Sequence, residues 1–326
     1  MRLELDPGII EKLKRSRLER FLPLPDRFYR KTLFKKGRMY GLETSSTVEG
    51  TASFENRPVA IRLSPMQSAL PRFSSQDHSM SLDPGHCIRG AHNIQLGEIK
   101  IIEHIISLMS AMNLRFDVSL TEPSFPTFNE CNLPFLRAIE DNVKDIGPAA
   151  FFTVKKPFGL LFEKGYVLLE PDDGSRNLRV DHQIEYPGRS IGKQRIEAVI
   201  SPEFYSFLCS ARTPSFRSAE ETAKNVELLK SGVKIDYPVS LDNVLFVDPG
   251  KIHNPRSVFV EGKVNYEFMM HELIDITAWL MFVELKFRGK FAGKMTTLFF
   301  DHHAQIDAAQ FVCGEEFSRI GMTALS

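Results

Sequence analysis

The sequence predicts an α+β protein built as two domains of similar plan. Three observations carry that reading. At 326 residues the chain exceeds the usual span of one hydrophobic core, so two cores are the default. Strand-like segments followed by helix-like segments occur in that order twice. Between the two sets stands Gly147-Pro148, a stop signal that puts the boundary near residues 147–150. The expected organisation is a helical N-terminal extension over 1–26, a first α+β domain over 27–147 and a second over 150–326.

The elements follow from the periodicity. Ile9, Ile10, Leu13, Leu18 and Phe21 recur at near-helical intervals before LPLPD ends the run, which predicts an amphipathic helix. From Phe28 the segments KTLFKKGRMYG and TASFENRPVAIRLSP alternate β-branched or aromatic residues with polar ones, as strands do. Residues 66–90 are rich in Ser, Asp, Pro and Gly and read as loop. IIEHIISLMSAMNL then reads as a helix, LRFDVSLTE as a strand and LPFLRAIEDNVKDIG as a helix stopped at Gly147-Pro148. In the second half AAFFTVKKPFGLLFEKGYVLLEP, LRVDHQIEYP and QRIEAVISP are strand-like. A helix opens with the capping pattern Ser218-x-x-Glu221 and ends near Gly232. One long helix is expected over 265–286, GKMTTLFF is strand-like, and a last helix is expected from about Gln305.

Composition narrows the function classes. Lys plus Arg and Asp plus Glu each total 41, so no net field draws the chain onto nucleic acid or an anionic membrane. The short basic clusters at 34–38 and 155–158 read as solvated faces. The four cysteines, Cys87, Cys131, Cys209 and Cys313, lack paired spacing, which argues for reduced thiols in a cytoplasmic protein. No apolar run approaches the roughly 20 residues that cross a bilayer. His78, His92, His182 and His253 sit among polar neighbours and read as surface or loop residues. Phenylalanine, at 26 residues, reads mainly as buried strand packing, with the pairs Phe151-Phe152 and Phe299-Phe300 open to lining an acyl passage.

Chemistry concentrates on the 265–286 helix. His271 and Asp275 are four residues apart and share a helix face, so an imidazole and a carboxylate can address one ion. Taken alone this spacing is common in ordinary helices. Glu103-His104, in another apolar helix, offers a third ligand and a carboxylate beside it. Three protein ligands with one position for water is the coordination of catalytic zinc, and a carboxylate next to a ligand histidine is a natural base for that water.

The run CSARTPSFRSAEETAKNVELLKSG, then SLDNVLFVD, then NYEFMMHELID resembles the second half of the zinc-dependent UDP-3-O-acyl-N-acetylglucosamine deacetylases of lipid A biosynthesis. IIEHIISLMSAMNLRFDV and FYRKTLFKKGRMYGLET resemble segments of their first half, so the likeness covers nearly all of the chain beyond the first 26 or so residues. It implies two similar domains, each a two-layer sandwich of β-sheet and α-helices, with the metal between them. It implies a cytoplasmic zinc-dependent amidohydrolase that removes an acetyl group from an acylated UDP-N-acetylglucosamine, its partner a small nucleotide sugar. His104, His271 and Asp275 would ligate Zn2+, Glu103 would be the general base, and Thr213 would help hold the oxyanion. A histidine after the late strand, His302 or His303, would be the cationic partner, and Phe216, Glu272 and His303 would face substrate.

Several positions depart from the family pattern. Glu272 stands where the family has lysine, Trp279 where it has the aspartate that orients the catalytic histidine, and Glu43 where it has a histidine. Phe128 to Cys131 replace a Met-Asp-Gly-Ser segment. Asp301 offers a replacement carboxylate for the late histidine, and Cys87 falls where the family has a cysteine near its metal pocket. The alternative these changes support is a paralogue of the same fold, silent or altered in substrate, that binds a ligand or partner.

Overall fold

The structure is a computed structural model that describes residues 11, 21–90, 92–186, 190–216, 218–232, 239–314 and 321–325. Mixed sheets and helices make it α+β throughout. The first half holds a five-stranded sheet in the order Ser46–Thr51, Pro58–Ser64, Asp117–Leu120, Arg72–Ser75, His78–Ser81. Beside it Arg38–Leu42 is flanked by Leu114–Arg115 and Val143–Pro148. The second half, with Phe21–Leu22 added from the N-terminal side, forms a six-stranded sheet ordered Phe21–Leu22, Gly192–Val199, Leu178–Tyr186, Gly293–Leu298, Tyr166–Glu170, Phe158–Leu161. Pairing changes partner between Pro148, which faces Arg38, and Phe151, which faces Lys290 and Leu325.

The helices are α1 (Glu103–Ala111), α2 (Leu133–Glu140), α3 (Pro202–Leu208), α4 (Ala219–Lys230), α5 (Glu267–Ala278), α6 (Leu280–Phe287) and α7 (His302–Cys313). Every residue of α1 is buried, as expected of a helix that is apolar nearly all round. α5 is buried on all sides except at Glu272 and Asp275, which lie three residues apart on one face. α1 and α5, from the two halves of the chain, are joined by a buried bond between the Ser107 and Thr277 hydroxyls at 2.8 Å. The Tyr205 hydroxyl, from α3, donates to the same Ser107 oxygen at 2.8 Å. One continuous apolar core runs through both halves around these helices.

Several expectations are corrected. Most of the predicted N-terminal helix lies outside the described residues, but Phe21–Leu22 is a strand, paired in parallel with Arg195–Ile196 at the sheet edge. The supposed loop over 66–90 contains the hairpin Arg72–Ser75/His78–Ser81, turned at Gln76 with φ 51°. Its serines conceal the alternation that Phe73, buried, reveals. The helix expected to reach Gly147 ends at Glu140, because Val143–Pro148 pairs with Arg38–Leu42. The long helix expected over 265–286 is interrupted at Trp279, between α5 and α6. α7 begins at His302, three residues before the expected start, capped by the Asp301 carboxylate accepting from the Ala304 N–H at 2.9 Å.

Candidate metal centre

The site is assembled from α1, α5, the start of α7 and the loop before α2. The first residue of α5 sets its orientation. Glu267 is buried and accepts from Arg212 Nε at 2.7 Å and Nη2 at 2.9 Å, a bidentate pair, and from Arg256 Nη2 at 2.6 Å. Arg212 thereby holds the 211–213 segment against α5. That segment in turn orients the imidazole: the Ala211 carbonyl accepts from His271 Nδ1 at 3.0 Å, so in the neutral ring the proton sits on Nδ1 and the lone pair on Nε2.

Asp275 is the centre of the cluster. His104 Nε2 lies 3.5 Å from its Oδ1, His271 Nε2 lies 3.5 Å from its Oδ2, and His302 Nε2 lies 3.9 Å from Oδ2. The His104 and His271 rings meet nearly edge to face, with centroids 5.0 Å apart. These separations are long for hydrogen bonds, and Asp275 Oδ1 is buried with no hydrogen-bond partner. They suit a shared ion. A tetrahedral centre with bonds of about 2.0–2.1 Å separates neighbouring ligand atoms by about 3.4 Å. The donor set therefore fits a divalent metal: two imidazole nitrogens and a carboxylate, with one imidazole fixed in the right tautomer.

The charges of the metal-free cluster follow from the same geometry. Burial would raise the Asp275 carboxyl, but His271 and His104 beside it hold it well below the usual carboxylate range. Burial works against protonated His271, yet Asp275 overrides it and raises that imidazole to about 9. Burial pushes the Glu103 carboxyl up, against the opposing charges of His302 and His104. Glu103 is held in place by the Ile94 N–H, which donates to its Oε2 at 2.8 Å.

The late histidines separate cleanly. His302 faces Asp275, while His303 Nε2 donates to the Gly90 carbonyl at 2.8 Å and so fixes that loop. Asp301 is committed to capping α7 and is not the partner of His302. The Nδ1 of His302 is buried without a partner, and Trp279 instead packs edge-on against Phe300 with centroids 5.6 Å apart. Thr213, half-buried, begins a strand paired in parallel with Val244–Val247. Phe216 ends that strand, and its side chain lies outside the described residues.

Two surroundings differ from the expectation. His182 is buried, with Nδ1 bonded to Thr297 Oγ1 at 2.8 Å and Nε2 3.6 Å from Glu272. His253 is likewise enclosed, bonded to Asp248. Their polar sequence neighbours misled the reading, since Asp181 and Gln183 are themselves buried in the sheet. The negative charge of Glu272 also raises the Tyr186 phenol above its ordinary value, with burial adding to it.

The cysteine at the site is Cys131, not Cys87. Cys87 is buried with its thiol towards the Asp83 carbonyl at 3.7 Å, and burial pushes that thiol up. Cys131 Sγ and the ring nitrogens of His104 and His271 all lie within 4.8 Å of one another. Burial would raise the Cys131 thiol, but the charge of His104 and hydrogen bonds from both imidazoles bring it down to about 7. Sequence spacing carried no sign of this contact, because the loop bearing Cys131 is distant in sequence from both ligand helices.

Residues 40–307 match the family model of UDP-3-O-acyl N-acetylglycosamine deacetylase. A UDP-3-O-acyl-N-acetylglucosamine deacetylase of Bdellovibrio bacteriovorus is 24% identical over 270 residues, which cover 80% of this chain and 83% of that protein. One of Oleidesulfovibrio alaskensis is 22% identical over 197 residues, 59% of this chain and 60% of that protein. One of Nitratidesulfovibrio vulgaris is 28% identical over 121 residues, 37% of this chain and 35% of that protein.

Proposed function

The chain belongs to the UDP-3-O-acyl N-acetylglycosamine deacetylase family, and from that premise we propose that it hydrolyses the acetamide of an acylated UDP-N-acetylglucosamine, with zinc held by His104, His271 and Asp275. The observation that carries this reading is Asp275, a half-buried carboxylate facing three imidazole nitrogens, with its Oδ1 enclosed and unbonded. Zinc bound there supplies Lewis-acid polarisation of the amide carbonyl and a water acidified towards neutrality.

The chain's own groups do the rest. Glu103, buried and anchored by Ile94, accepts the proton of the attacking water; its raised pKa makes it a stronger base than an exposed glutamate. The Thr213 hydroxyl donates to the oxyanion that develops on the acetyl carbonyl. His302 delivers the proton that the departing amine requires, so acetate and a free amine leave. With His303 tied to Gly90, the proton role goes to His302. Glu272, half-buried on α5 next to the ligands and close to His182, is the residue offered to substrate in place of the lysine that the family resemblance implies. A nucleotide sugar would then gain its phosphate contacts from other groups.

Among the described residues no helix is long and apolar enough to cross a membrane. The free thiols Cys87, Cys131, Cys209 and Cys313 support a reducing, cytoplasmic site of action.

The test is acetate release from a 3-O-acylated UDP-N-acetylglucosamine, run beside the same acylated sugar without its nucleotide. The expected result is turnover of the nucleotide substrate that stops on chelation and returns with zinc. Metal-replete, folded protein that releases no acetate from either compound would refute the reading in favour of a silent paralogue.

A further inference from the structure

The geometry points to Cys131 as a fourth protein ligand of the resting metal centre, so that the ion is held by His104, His271, Asp275 and a thiolate. This rests on the metal site proposed above and concerns a residue outside the three-ligand set. Three observations support it. Cys131 Sγ lies within 4.8 Å of both ring nitrogens and is fully enclosed with them. Because His271 Nδ1 is bonded to the Ala211 carbonyl, the ring nitrogen left for an ion beside Cys131 is Nε2, which faces Asp275. Asp275 Oδ1, 3.5 Å from His104 Nε2, is buried without a hydrogen-bond partner and so has a lone pair to give an ion held by these imidazoles.

The loop is built to hold the thiol there. Asn132, the next residue, is buried; its Nδ2 donates to the backbone carbonyl of His104 and to Tyr205 Oη at 3.0 Å, and its N–H donates to the Cys209 carbonyl at 2.8 Å. The backbone beside Cys131 is thus pinned to the turn of α1 that carries a ligand. Cys131 itself adopts φ 43°, a conformation that favours glycine.

The consequences are chemical. Binding releases the S–H proton to solvent and adds a second negative ligand, which neutralises the charge of a divalent ion. Four protein ligands describe a closed centre, so water must enter as a fifth ligand or take the place of the thiolate. The resting enzyme would then be gated by Cys131, and a soft donor would bias the site towards zinc and cobalt over magnesium.

The test is cobalt(II) substitution of the full-length protein, read by absorption. Wild type should bind about one cobalt per chain, as the closed site requires, and show an intense near-ultraviolet sulfur-to-cobalt charge-transfer band beside its visible bands. Cys131→Ser and Cys131→Ala should keep the visible bands and lose the charge-transfer band, while Cys87→Ser retains it. Cobalt bound by wild type without the band, or a band that survives in both folded Cys131 variants, overturns the ligand assignment and leaves the three-ligand centre standing. Folded wild type that takes up no cobalt and no zinc overturns the metal centre itself and this inference with it.

Discussion

In the proposed chemistry Asp275 is the pivotal residue, because a carboxylate largely withdrawn from water must be paired or must take up a proton. Here it is surrounded by imidazoles at distances that suit a common ion better than hydrogen bonds. In the metal-free protein the pairing has a pH signature. His271 is raised to about 9 from its ordinary value of 6.5, so its contribution to stability is complete below pH 6.5 and is lost as pH rises through about 9. The metal-free protein should therefore melt at progressively lower temperature between those limits. The zinc-loaded protein should not, since metal has replaced the proton; calorimetric scans of both forms across that range check it. At Glu103 the expectation is kinetic: Glu103→Gln keeps the bond to Ile94 within reach but removes the base, lowering kcat by roughly 10²- to 10⁴-fold. Metal content should stay unchanged, and single-turnover acetate release with zinc analysis distinguishes loss of base from loss of metal.

At the level of elements, α5 does one job at its start and another in its middle. Its first residue, Glu267, pairs with both Arg212 and Arg256 in a largely buried network, and its middle carries His271 and Asp275. Removing one member leaves buried charge uncompensated, so Glu267→Gln should cost about 3–5 kcal/mol in a denaturant titration. The same variant should weaken metal binding, because Arg212 no longer holds Ala211 against His271 Nδ1. By contrast Ser218→Ala at the exposed start of α4, where the reciprocal capping box forms as the Ser-x-x-Glu pattern predicts, should cost only about 0.5–2 kcal/mol and leave metal binding intact. The comparison separates a helix that builds the site from one that does not.

The whole molecule brings α1 and α5 together from distant parts of the chain, and a metal shared by His104 and the α5 residues His271 and Asp275, as proposed, would be a cross-link between them. Metal at a hundredfold excess over its Kd should add about 2.7 kcal/mol to global stability. A dithiothreitol-free chelation series followed by thermal melting would register that loss. How much of this was legible beforehand divides along physical lines. The α+β class, the strands of the second half and the His271/Asp275 face were readable, because period and spacing are local properties of the chain. The hairpin over Arg72–Ser81 was not, since short polar strands are defined by their partners, here Asp117–Leu120, more than by their own pattern. Nor was Cys131 at the cluster, or His182 in the sheet: each is brought to its place by tertiary packing that no spacing announces. That His302 faces Asp275 while His303 reaches Gly90 follows from the start of α7, which the Asp301 cap determines.

The central claim is that a metal held by α1 and α5 drives hydrolysis, and zinc content measured with acetate release on the same preparations tests it most directly. Wild type should carry about one zinc per chain and release acetate, while folded His271→Ala and Asp275→Ala should lose both together. Acetate release that persists in metal-free His271→Ala protein would contradict the account.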